Sequence, residues 1–285
     1  MPELPEVETI KNELLPWVVG QSFTQINILD SDVVHEIPVE AFCHKLRGQR
    51  IVGLERRGKY LIFNLASSEV LIMHFRMTGV LLLNPNEMDL HTRAVFHLSN
   101  GSRLVFNDQR RFGVMRLVQD VNTTLAKLGP EPLDESFTPA ILRERLNKHR
   151  IPIKAALLDQ DVIAGIGNMY ADEALFAAHI HPLRRADTLS GGEIQSLYHA
   201  IREVLLSAIR SKGASVDTYI RPDGQIGTAH FYFKVAHRGG EPCPLCDTPI
   251  ERVLVRNRSS YFCPKCQPLT SQICFTSLLR AQNDK

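Results

Sequence analysis

Four cysteines constrain the fold more than any other feature of this sequence. Cys243 and Cys246 are separated by two residues, as are Cys263 and Cys266, and sixteen residues lie between the two pairs. This spacing is typical of a tetrahedral zinc site with four thiolate ligands. Such a site has no open position for a substrate, so we expect one zinc ion per chain with a structural role.

The rest of the composition indicates an ordinary globular protein. A length of 285 residues, with 44% hydrophobic and 22% charged residues, is enough for two domains with separate cores. No run approaches the roughly 18 apolar residues of a membrane span. The start MPELPEVETI carries two prolines and three glutamates, unlike a signal peptide. We therefore expect a cytoplasmic protein, associated with the nucleoid if it binds DNA, whose thiols bind metal rather than form disulfides.

The first half of the chain is predicted to be one helix followed by strands. Val7, Ile10 and Leu14 recur at helical spacing, which predicts a helix over 2–15. Between about 21 and 118, eight short runs rich in Val, Ile, Leu and Phe indicate a β-sandwich or barrel. These runs are 22–28, 50–55, 59–65, 70–75, 79–83, 93–98, 103–106 and 114–118.

The second half is predicted to be helical. A linker-like segment GPEP at 129–132 ends the strand region. A glycine-rich connection at 163–168 interrupts the helical pattern, and a loop at 213–230, with glycines and a Pro-Asp-Gly turn, is predicted to be mobile. The predicted helices are 139–147, 153–160, 168–179 and 190–212.

Charge clusters in two short segments although the formal net charge is only +2. Residues 45–59 carry six basic side chains against one acid, and residues 103–116 carry four arginines against one aspartate. Clustered positive charge on a near-neutral chain is typical of a polyanion-binding protein. Either run alone would equally fit a solvated charged face.

The N-terminus offers a nucleophile. Removal of Met1 would expose the secondary amine of Pro2, and an α-amino group with a pKa near about 7.7–8.0 is partly neutral at pH 7. Such an amine can attack the C1′ atom of a sugar and form an iminium, which makes the C2′ proton acidic. Glu3 and Glu6 would share a helical face and could transfer protons. Taken alone, Pro-Glu at a terminus also fits a plain helix start.

Other side chains suit contacts with DNA. An enzyme that acts on a base must remove it from the stack and fill the gap. Met77 and Phe112 could fill such a gap, and Arg110 could pair with the orphaned base. By themselves Met77 and Phe112 would more often be core residues, and His74 and His91 would be structural. Three arginines between the cysteine pairs suit phosphate contacts: Arg252, Arg256 and Arg258.

Taken together, these segments resemble the formamidopyrimidine-DNA glycosylase family of bacterial repair enzymes. The resemblance runs from Met1 to about Gln267, and it includes the zinc finger with an arginine, Arg258, five residues before its third cysteine. The chain continues for about 18 residues beyond this point, and Phe75 stands where leucine is frequent in the family. The matching motifs are MPELPEVET at 1–9, RRGKYL at 56–61, MHFRMTG at 73–79, NDQRRFG at 107–113, LGPEPL at 128–133 and GIGNMYADE at 165–173.

The resemblance implies an α+β fold. An N-terminal helix and an eight-stranded β-sandwich form the first domain, and a helical helix–two-turn–helix domain with a four-cysteine zinc finger follows. The implied bounds are 1–130 for the catalytic domain, 131–235 for the helical domain, 236–268 for the zinc finger and 269–285 for a C-terminal tail.

The resemblance also implies an activity. The chain would act as a monomer on double-stranded DNA, excise oxidised purines and cleave the strand by β,δ-elimination. Pro2 would be the Schiff-base nucleophile, Glu3 the general acid/base, Lys59 the proton donor in β-elimination and Arg258 in δ-elimination. The loop at 213–230 would close over the everted base. The remaining DNA contacts would be His74, Met77, His91, Arg110, Phe112, Arg150 and Asn168, and Lys59 and Arg258 would also grip phosphates.

Two other functions fit part of this pattern. An endonuclease VIII-like glycosylase would use the same chemistry on oxidised pyrimidines, but Leu4 and the loop around Arg110 argue against it. A zinc-finger protein that recognises lesions without cutting them would have no use for Pro2, Glu3 and Lys59.

Overall fold

The computed structural model describes residues 1–269 of the chain. The predicted tail at 269–285 therefore lies outside the described residues, except for its first position. The described residues form two compact units, one of residues 1–127 with 207–231, and one of residues 128–206 with 232–269. Within the described residues, none of the helices is both long enough and apolar enough to cross a membrane.

The first unit contains the predicted helix, which ends three residues later than predicted, and all eight predicted strands, whose ends lie within two residues of the prediction. A two-residue strand and two short helices were not predicted. In chain order the elements are α1 (Leu4–Val18), β1 (Phe23–Ile28), β2 (Val34–His35), α2 (Val39–Leu46), β3 (Ile51–Arg57), β4 (Tyr60–Leu65), β5 (Val70–His74), β6 (Gly79–Leu83), β7 (Thr92–Leu98), β8 (Arg103–Asp108), β9 (Val114–Val118) and α3 (Asn122–Leu125).

These strands form two sheets. One has the order β2-β9-β5-β4-β3 and the other β1-β7-β8-β6. Alternating apolar residues fill the core of this unit, where the ring of Phe23 lies 6.4 Å from that of Phe63 and 5.7 Å from that of Phe96, between centroids. Val7 and Leu14 of α1 are buried in the same core, as the helical spacing predicted.

Residues 207–231 belong to the first unit because they are bonded into it. Tyr219 is buried in the β-sandwich core, Pro222 accepts a hydrogen bond from the backbone of Leu83 at 2.8 Å, and the guanidinium of Arg221 lies 2.7 Å from the carboxylate of Glu13. The compact units thus divide the chain differently from the predicted domains, which placed this segment with the helices. The segment also includes the loop predicted to be mobile, which is held at these three points.

The second unit contains the four predicted helices and a hairpin. Its elements are α4 (Pro139–Asn147), α5 (Ile153–Leu158), α6 (Asn168–Ala177), α7 (Gly191–Arg210), β10 (Glu251–Val255) and β11 (Arg258–Phe262), with the last turn of α7 passing into the first unit.

The connection between α5 and α6 is fixed by one side chain. The amide of Gln160 accepts from the backbone of Gly165 at 2.9 Å and donates to the carbonyl of Ile166 at 2.8 Å. Gly165 has φ 85°, a conformation that glycine adopts at no steric cost. A side chain at Gly129 would meet the carbonyl oxygen of Asp161 at 2.6 Å, so the GPEP segment packs directly on this connection.

Candidate active site and nucleic-acid interface

Pro2 lies at the buried start of α1, next to a cap formed by two glutamates. Glu3 is the residue that precedes the helix, and its backbone N–H donates to Oε2 of Glu6 at 2.8 Å. The other oxygen of Glu6 accepts from the backbone of Ala214 at 2.8 Å. Both oxygens of Glu6 therefore hold backbone groups in place. The side chain of Glu3 accepts the backbone N–H of Glu6 in return, which completes a capping box. A role in proton transfer stays a prediction for both glutamates.

Lys59 lies in the two-residue turn between β3 and β4. Arg57 pairs with Tyr60 across the hairpin, and Gly58 provides the positive φ of 57° that the first position of such a turn can require. The guanidinium of Arg56 donates to Glu8 of α1 at 2.8 Å and to the carbonyl of Gly58 at 3.1 Å. This arrangement joins the turn to helix α1, and the side chain of Lys59 is largely buried within it.

His74 ends β5 beside the same hairpin. Its ring meets that of Tyr60 edge-on, with 4.5 Å between centroids, and its Nδ1 accepts the backbone N–H of Arg76 at 3.0 Å. Burial lowers the pKa of His74 to about 3, helped by the positive charges of Arg76 and Lys59. The imidazole is therefore neutral at pH 7, and because Nδ1 accepts, its hydrogen lies on Nε2. His74 thus offers a donor without a charge.

Met77, Arg110 and Phe112 lie on two loops at one end of the β6–β8 pair, and we call them the gap-filling residues after the role that the sequence predicts for them. Phe112 is 50% exposed and Met77 is half-buried, so the alternative that both are core residues is wrong. The guanidinium carbon of the exposed Arg110 lies 4.8 Å from the centre of the Phe112 ring. Phe75, which stands where leucine is frequent in the family, is 1% exposed and belongs to the core.

Sequence reasoning missed the carboxylates that hold these loops. Asp30 accepts from the guanidinium of Arg111 at 2.6 and 2.9 Å, and Asp32 accepts from it at 3.0 Å. The hydrogen bonds from Arg111 lower the pKa of Asp30. The two neighbouring arginines therefore have different surroundings. Arg111 is held by acids, whereas Arg110 lies over an aromatic ring. No local motif marks Asp30, because it is 81 residues from Arg111.

Two further predicted DNA contacts, His91 and Arg150, lie on loops. His91 precedes β7 and is half-buried, with its backbone bonded to Asp89 at 3.0 Å. In the second unit, the side chain of Arg150 is 86% exposed and lies 3.8 Å from the carboxylate of Asp187.

Asn168 is the first residue of α6 and contacts the zinc-finger hairpin. Its Nδ2 donates to the carbonyl of Ser259 at 3.0 Å. The buried ammonium of Lys154 donates to the same carbonyl at 3.2 Å and to Asp172 at 2.6 Å. Ser259 follows Arg258, so these contacts fix the start of β11 against the helix start.

Arg258 is exposed beside the tip of the β10–β11 hairpin. Val255 pairs with Arg258, and the two residues between them have φ of 47° and 59°. Two successive positive φ angles are typical of a tight type I′ turn, which here presents the arginine at the end of the hairpin.

The four cysteines are gathered at the base of this hairpin. Their sulfur atoms all lie within 4.8 Å of one another. Cys243 and Cys266 are 3.8 Å apart, and Cys246 lies 3.5 Å from Cys263 and 3.4 Å from Cys266, between sulfurs. Four sulfurs placed about 2.3 Å from a central zinc would be separated by about 3.8 Å, so the arrangement fits that ion.

Models of known domains match three successive parts of the chain. The formamidopyrimidine-DNA glycosylase N-terminal domain matches residues 1–115, the formamidopyrimidine-DNA glycosylase H2TH domain matches residues 128–219, and the zinc finger found in FPG and IleRS matches residues 240–269.

Curated relatives match nearly the whole chain. A formamidopyrimidine-DNA glycosylase of Symbiobacterium thermophilum is 43% identical over 97% of this chain and 92% of its own length. Another, of Chloroflexus aurantiacus, is 45% identical over 94% of this chain and 98% of its own. The chain belongs to the formamidopyrimidine-DNA glycosylase family.

Solved structures of formamidopyrimidine-DNA glycosylases share the fold. A Lactococcus lactis FPG mutant in complex with DNA containing Fapy-dG has a TM-score of 0.87 and 35% identity, over 94% of this chain and all of that one. A structure of MutM in complex with DNA containing carbocyclic 8-oxo-G has a TM-score of 0.87 and 36% identity over the same shares.

Membership of the formamidopyrimidine-DNA glycosylase family confirms two predictions. The α+β fold is present, with its N-terminal helix and β-sandwich, its helix–two-turn–helix region and its four-cysteine finger. The cysteines form a structural zinc site, since the matched finger model and the sulfur geometry agree. The roles of single residues in DNA binding and catalysis stay predictions.

Proposed function

We propose that this chain is a base excision repair enzyme that removes oxidised purines, 8-oxoguanine and formamidopyrimidines, from double-stranded DNA and then cleaves the strand. Full-length similarity to formamidopyrimidine-DNA glycosylases carries the proposal. The start of the chain supports it, because Pro2 and Glu3 occupy a buried helix start that Glu6 holds in place.

Pro2 is the proposed nucleophile. Once Met1 is removed, the nitrogen of Pro2 attacks C1′ of the damaged nucleotide, and the bond from C1′ to the base breaks. The departing base takes up a proton, while loss of the amine proton and opening of the sugar ring give an iminium between Pro2 and C1′. The iminium withdraws electrons from C2′, so a proton leaves C2′ and the 3′ phosphate is expelled by β-elimination. A second elimination expels the 5′ phosphate.

Three side chains are assigned to proton transfer in these steps. Glu3 protonates the ring oxygen of the sugar as the ring opens and accepts protons afterwards. Lys59 serves β-elimination from its position in the turn that Arg56 joins to α1. Arg258, at the hairpin tip of the second unit, serves δ-elimination.

Phosphate contacts are assigned to each unit separately. In the first unit, Lys59 supplies a charged donor. His74 supplies a neutral N–H donor at Nε2, because its Nδ1 accepts a hydrogen bond from the backbone of Arg76. In the second unit, Asn168 and Arg258 are the assigned contacts, and both border Ser259. Contacts of this kind position the backbone without reading the sequence. His91 and Arg150 are assigned to DNA nearby.

The gap-filling residues are assigned to the space that an everted base leaves. A half-exposed phenylalanine held beside an arginine suits insertion into a base step, because the ring stacks while the guanidinium reaches a base edge. The loop at 213–230 is assigned to the pocket of the everted base, where closure around a fitting base would supply selectivity.

Phe112→Ala should separate lesion processing from general DNA affinity. Phosphate contacts dominate non-specific affinity and remain intact in this variant. We expect excision of 8-oxoguanine to fall by about tenfold or more, as for the loss of a stacked side chain of about 1–3 kcal/mol. Affinity for undamaged duplex should change little, as measured by binding titration. Equal losses in both measurements would contradict the gap-filling role.

A nicking assay tests the proposed function itself. We expect the chain to cut a duplex that carries 8-oxoguanine opposite cytosine, and to cut a thymine-glycol duplex more slowly. The opposite order would indicate an endonuclease VIII-like enzyme for oxidised pyrimidines. Binding without any cleavage of either duplex would indicate a lesion-recognition protein without catalytic activity.

The same proposal covers the setting in which the enzyme works. We propose that it acts as a monomer in the cytoplasm and associates with the nucleoid through its DNA. Residues 1–130 would form the catalytic β-sandwich domain, 131–235 the helical domain and 236–268 the zinc finger, with residues 207–231 packed in the first compact unit.

A further inference from the structure

Asp108 is the last residue of β8 and is completely buried. Its side chain accepts three hydrogen bonds from two different loops. Oδ1 accepts the hydroxyl of Thr78 and the backbone N–H of Arg110, the latter at 3.2 Å, and Oδ2 accepts the backbone N–H of Gly113 at 2.6 Å. Burial of a carboxylate without hydrogen-bond donors costs free energy, so the side chain of Asp108 requires these donors to stay in place.

The two loops carry the gap-filling residues. Residues 75–78 form the Met77 loop, between β5 and β6, and residues 109–113 form the Phe112 loop, between β8 and β9. Thr78 is the immediate neighbour of Met77, and it accepts the backbone N–H of Arg110 at 3.0 Å. The hydroxyl of Thr78 and the carboxylate of Asp108 thus join two loops that are 30 residues apart in sequence.

Main-chain groups of Asp108 extend the same connection. Its N–H donates to the carbonyl of His91 at 2.9 Å, and its own carbonyl accepts from the guanidinium of Arg93 at 2.9 Å. His91 is a proposed DNA contact. One buried residue therefore bonds the backbone or the chain neighbour of four proposed DNA contacts: Met77, His91, Arg110 and Phe112.

The two loops are closely packed at the glycines beside Asp108. A side chain at Gly79, which pairs with Asp108, would lie 2.5 Å from the carbonyl oxygen of Phe75 and 3.1 Å from the ring of Phe106. A side chain at Gly113 would lie 2.4 Å from the same ring and 3.0 Å from Oδ2 of Asp108. Gly79, directly after the Met77 loop, and Gly113, in the Phe112 loop, therefore both pack against Phe106, and the carboxylate of Asp108 is bonded to both loops.

We propose that Asp108 is a positioning residue for eversion of the damaged base. Its carboxylate and the hydroxyl of Thr78 hold the Met77 loop and the Phe112 loop as one rigid insert, so that Met77, Arg110 and Phe112 enter the DNA together. The assignment rests on the proposed function. Asp108 contacts no reacting atom, and it acts through the geometry of the loops that it joins.

Three variants and one control test this role. Asp108→Asn has one oxygen instead of two, so it cannot keep all three bonds. Thr78→Val removes only the hydroxyl that joins the loops, with almost no change of shape, and Thr78→Ser restores that hydroxyl. Asp120→Asn is the matched control, because the exposed Asp120 accepts a backbone N–H at 2.9 Å at another place in the same unit.

Each variant is measured on two substrates. Excision of 8-oxoguanine from a duplex requires the gap to be filled, whereas nicking of a single-stranded oligonucleotide with a preformed abasic site does not, since no opposite strand is present. We expect Asp108→Asn to lower the duplex rate by about tenfold or more, the usual effect of losing a buried charged hydrogen bond. Thr78→Val should lower the duplex rate less than Asp108→Asn does. The rate of nicking of the single-stranded oligonucleotide should be unchanged in both variants.

The ratio of the two rates decides the result. Restoration by Thr78→Ser and an unchanged ratio for Asp120→Asn would support the assignment. If Thr78→Val leaves the duplex rate unchanged, or if both rates fall equally in each variant, Asp108 has only a structural role. If the unsubstituted chain nicks abasic DNA but excises no 8-oxoguanine, the proposed function itself fails, and the assignment fails with it.

Discussion

A chain with any residue left ahead of Pro2 is expected to lose base excision and strand cleavage together. The nitrogen of Pro2 is then a tertiary amide, which has no lone pair available to attack C1′. A short tag at the N-terminus makes this change, and the same tag at the C-terminus is the matched control. We expect the first chain to show no detectable turnover of an 8-oxoguanine duplex and to keep most of its affinity for that duplex.

Covalent trapping shows which atom is the nucleophile. The iminium is reducible, so borohydride added during turnover should join the mature chain irreversibly to the lesion strand, and mass spectrometry should place the adduct on Pro2. Pro2→Gly should retain part of the activity, because a primary amine can still form an imine. An adduct that forms equally well with a blocked N-terminus, or that maps to Lys59, would rule out the mechanism.

Glu3→Gln provides an internal control for the same experiment. Proton transfer by a positioned side chain contributes about 10²–10⁴-fold to a rate, so excision should fall by that order while lesion binding persists. Glu6→Gln should act differently, because Glu6 holds the backbone of Glu3 and of Ala214. Its effect should appear first in the thermal stability of the first unit.

Loss of zinc is expected to have the second large effect. The apolar residues that pack around the cysteines are few, including Phe176, Val235 and Ile250, so metal binding supplies much of the folding free energy of the finger. Cys246→Ser or Cys263→Ser should unfold the finger and remove Arg258 from its hairpin tip. We expect DNA affinity to fall by about tenfold or more, as for the loss of hydrogen bonds to charged groups.

The first unit should survive this change. Trp17 is the only tryptophan of the chain and belongs to α1, so its fluorescence reports on the first unit alone. We expect an unchanged Trp17 signal, and metal analysis should give one zinc per chain before the substitution and none after it. Cys43→Ser is the matched control, since Cys43 lies in α2. Zinc-free protein with full activity would contradict the prediction.

Local patterns were sufficient to predict most of the fold. Strands such as β9 have alternating or apolar runs of five to seven residues bounded by turn residues, and helix α1 has apolar residues at helical spacing. Helix α2 was missed because it has only eight residues, of which Phe42 and Leu46 alone are buried. The zinc site was predictable because its ligands lie in two short motifs at fixed spacing.

The candidate site was only partly predictable, because its supports come from distant parts of the chain. Glu6 accepts the backbone N–H of Ala214, which is 208 residues away in sequence. Nothing local to Asp108 shows that it accepts from Thr78, and nothing local to Arg111 shows that it pairs with Asp30. Sequence motifs identify the groups that can react, whereas the groups that orient them depend on tertiary contacts.

The return of residues 207–231 to the first unit has a consequence for how the enzyme is made. The N-terminus is synthesised first, whereas Ala214 and Tyr219 are added only after more than two hundred further residues. Until then the β-sandwich lacks part of its core, and the carboxylate of Glu6 lacks one of its donors. A nascent chain that ends at residue 127 should therefore contain Pro2 but lack the residues around Ala214 and Tyr219 that complete the first unit. We expect the enzyme to stay inactive until most of its helical region has been synthesised.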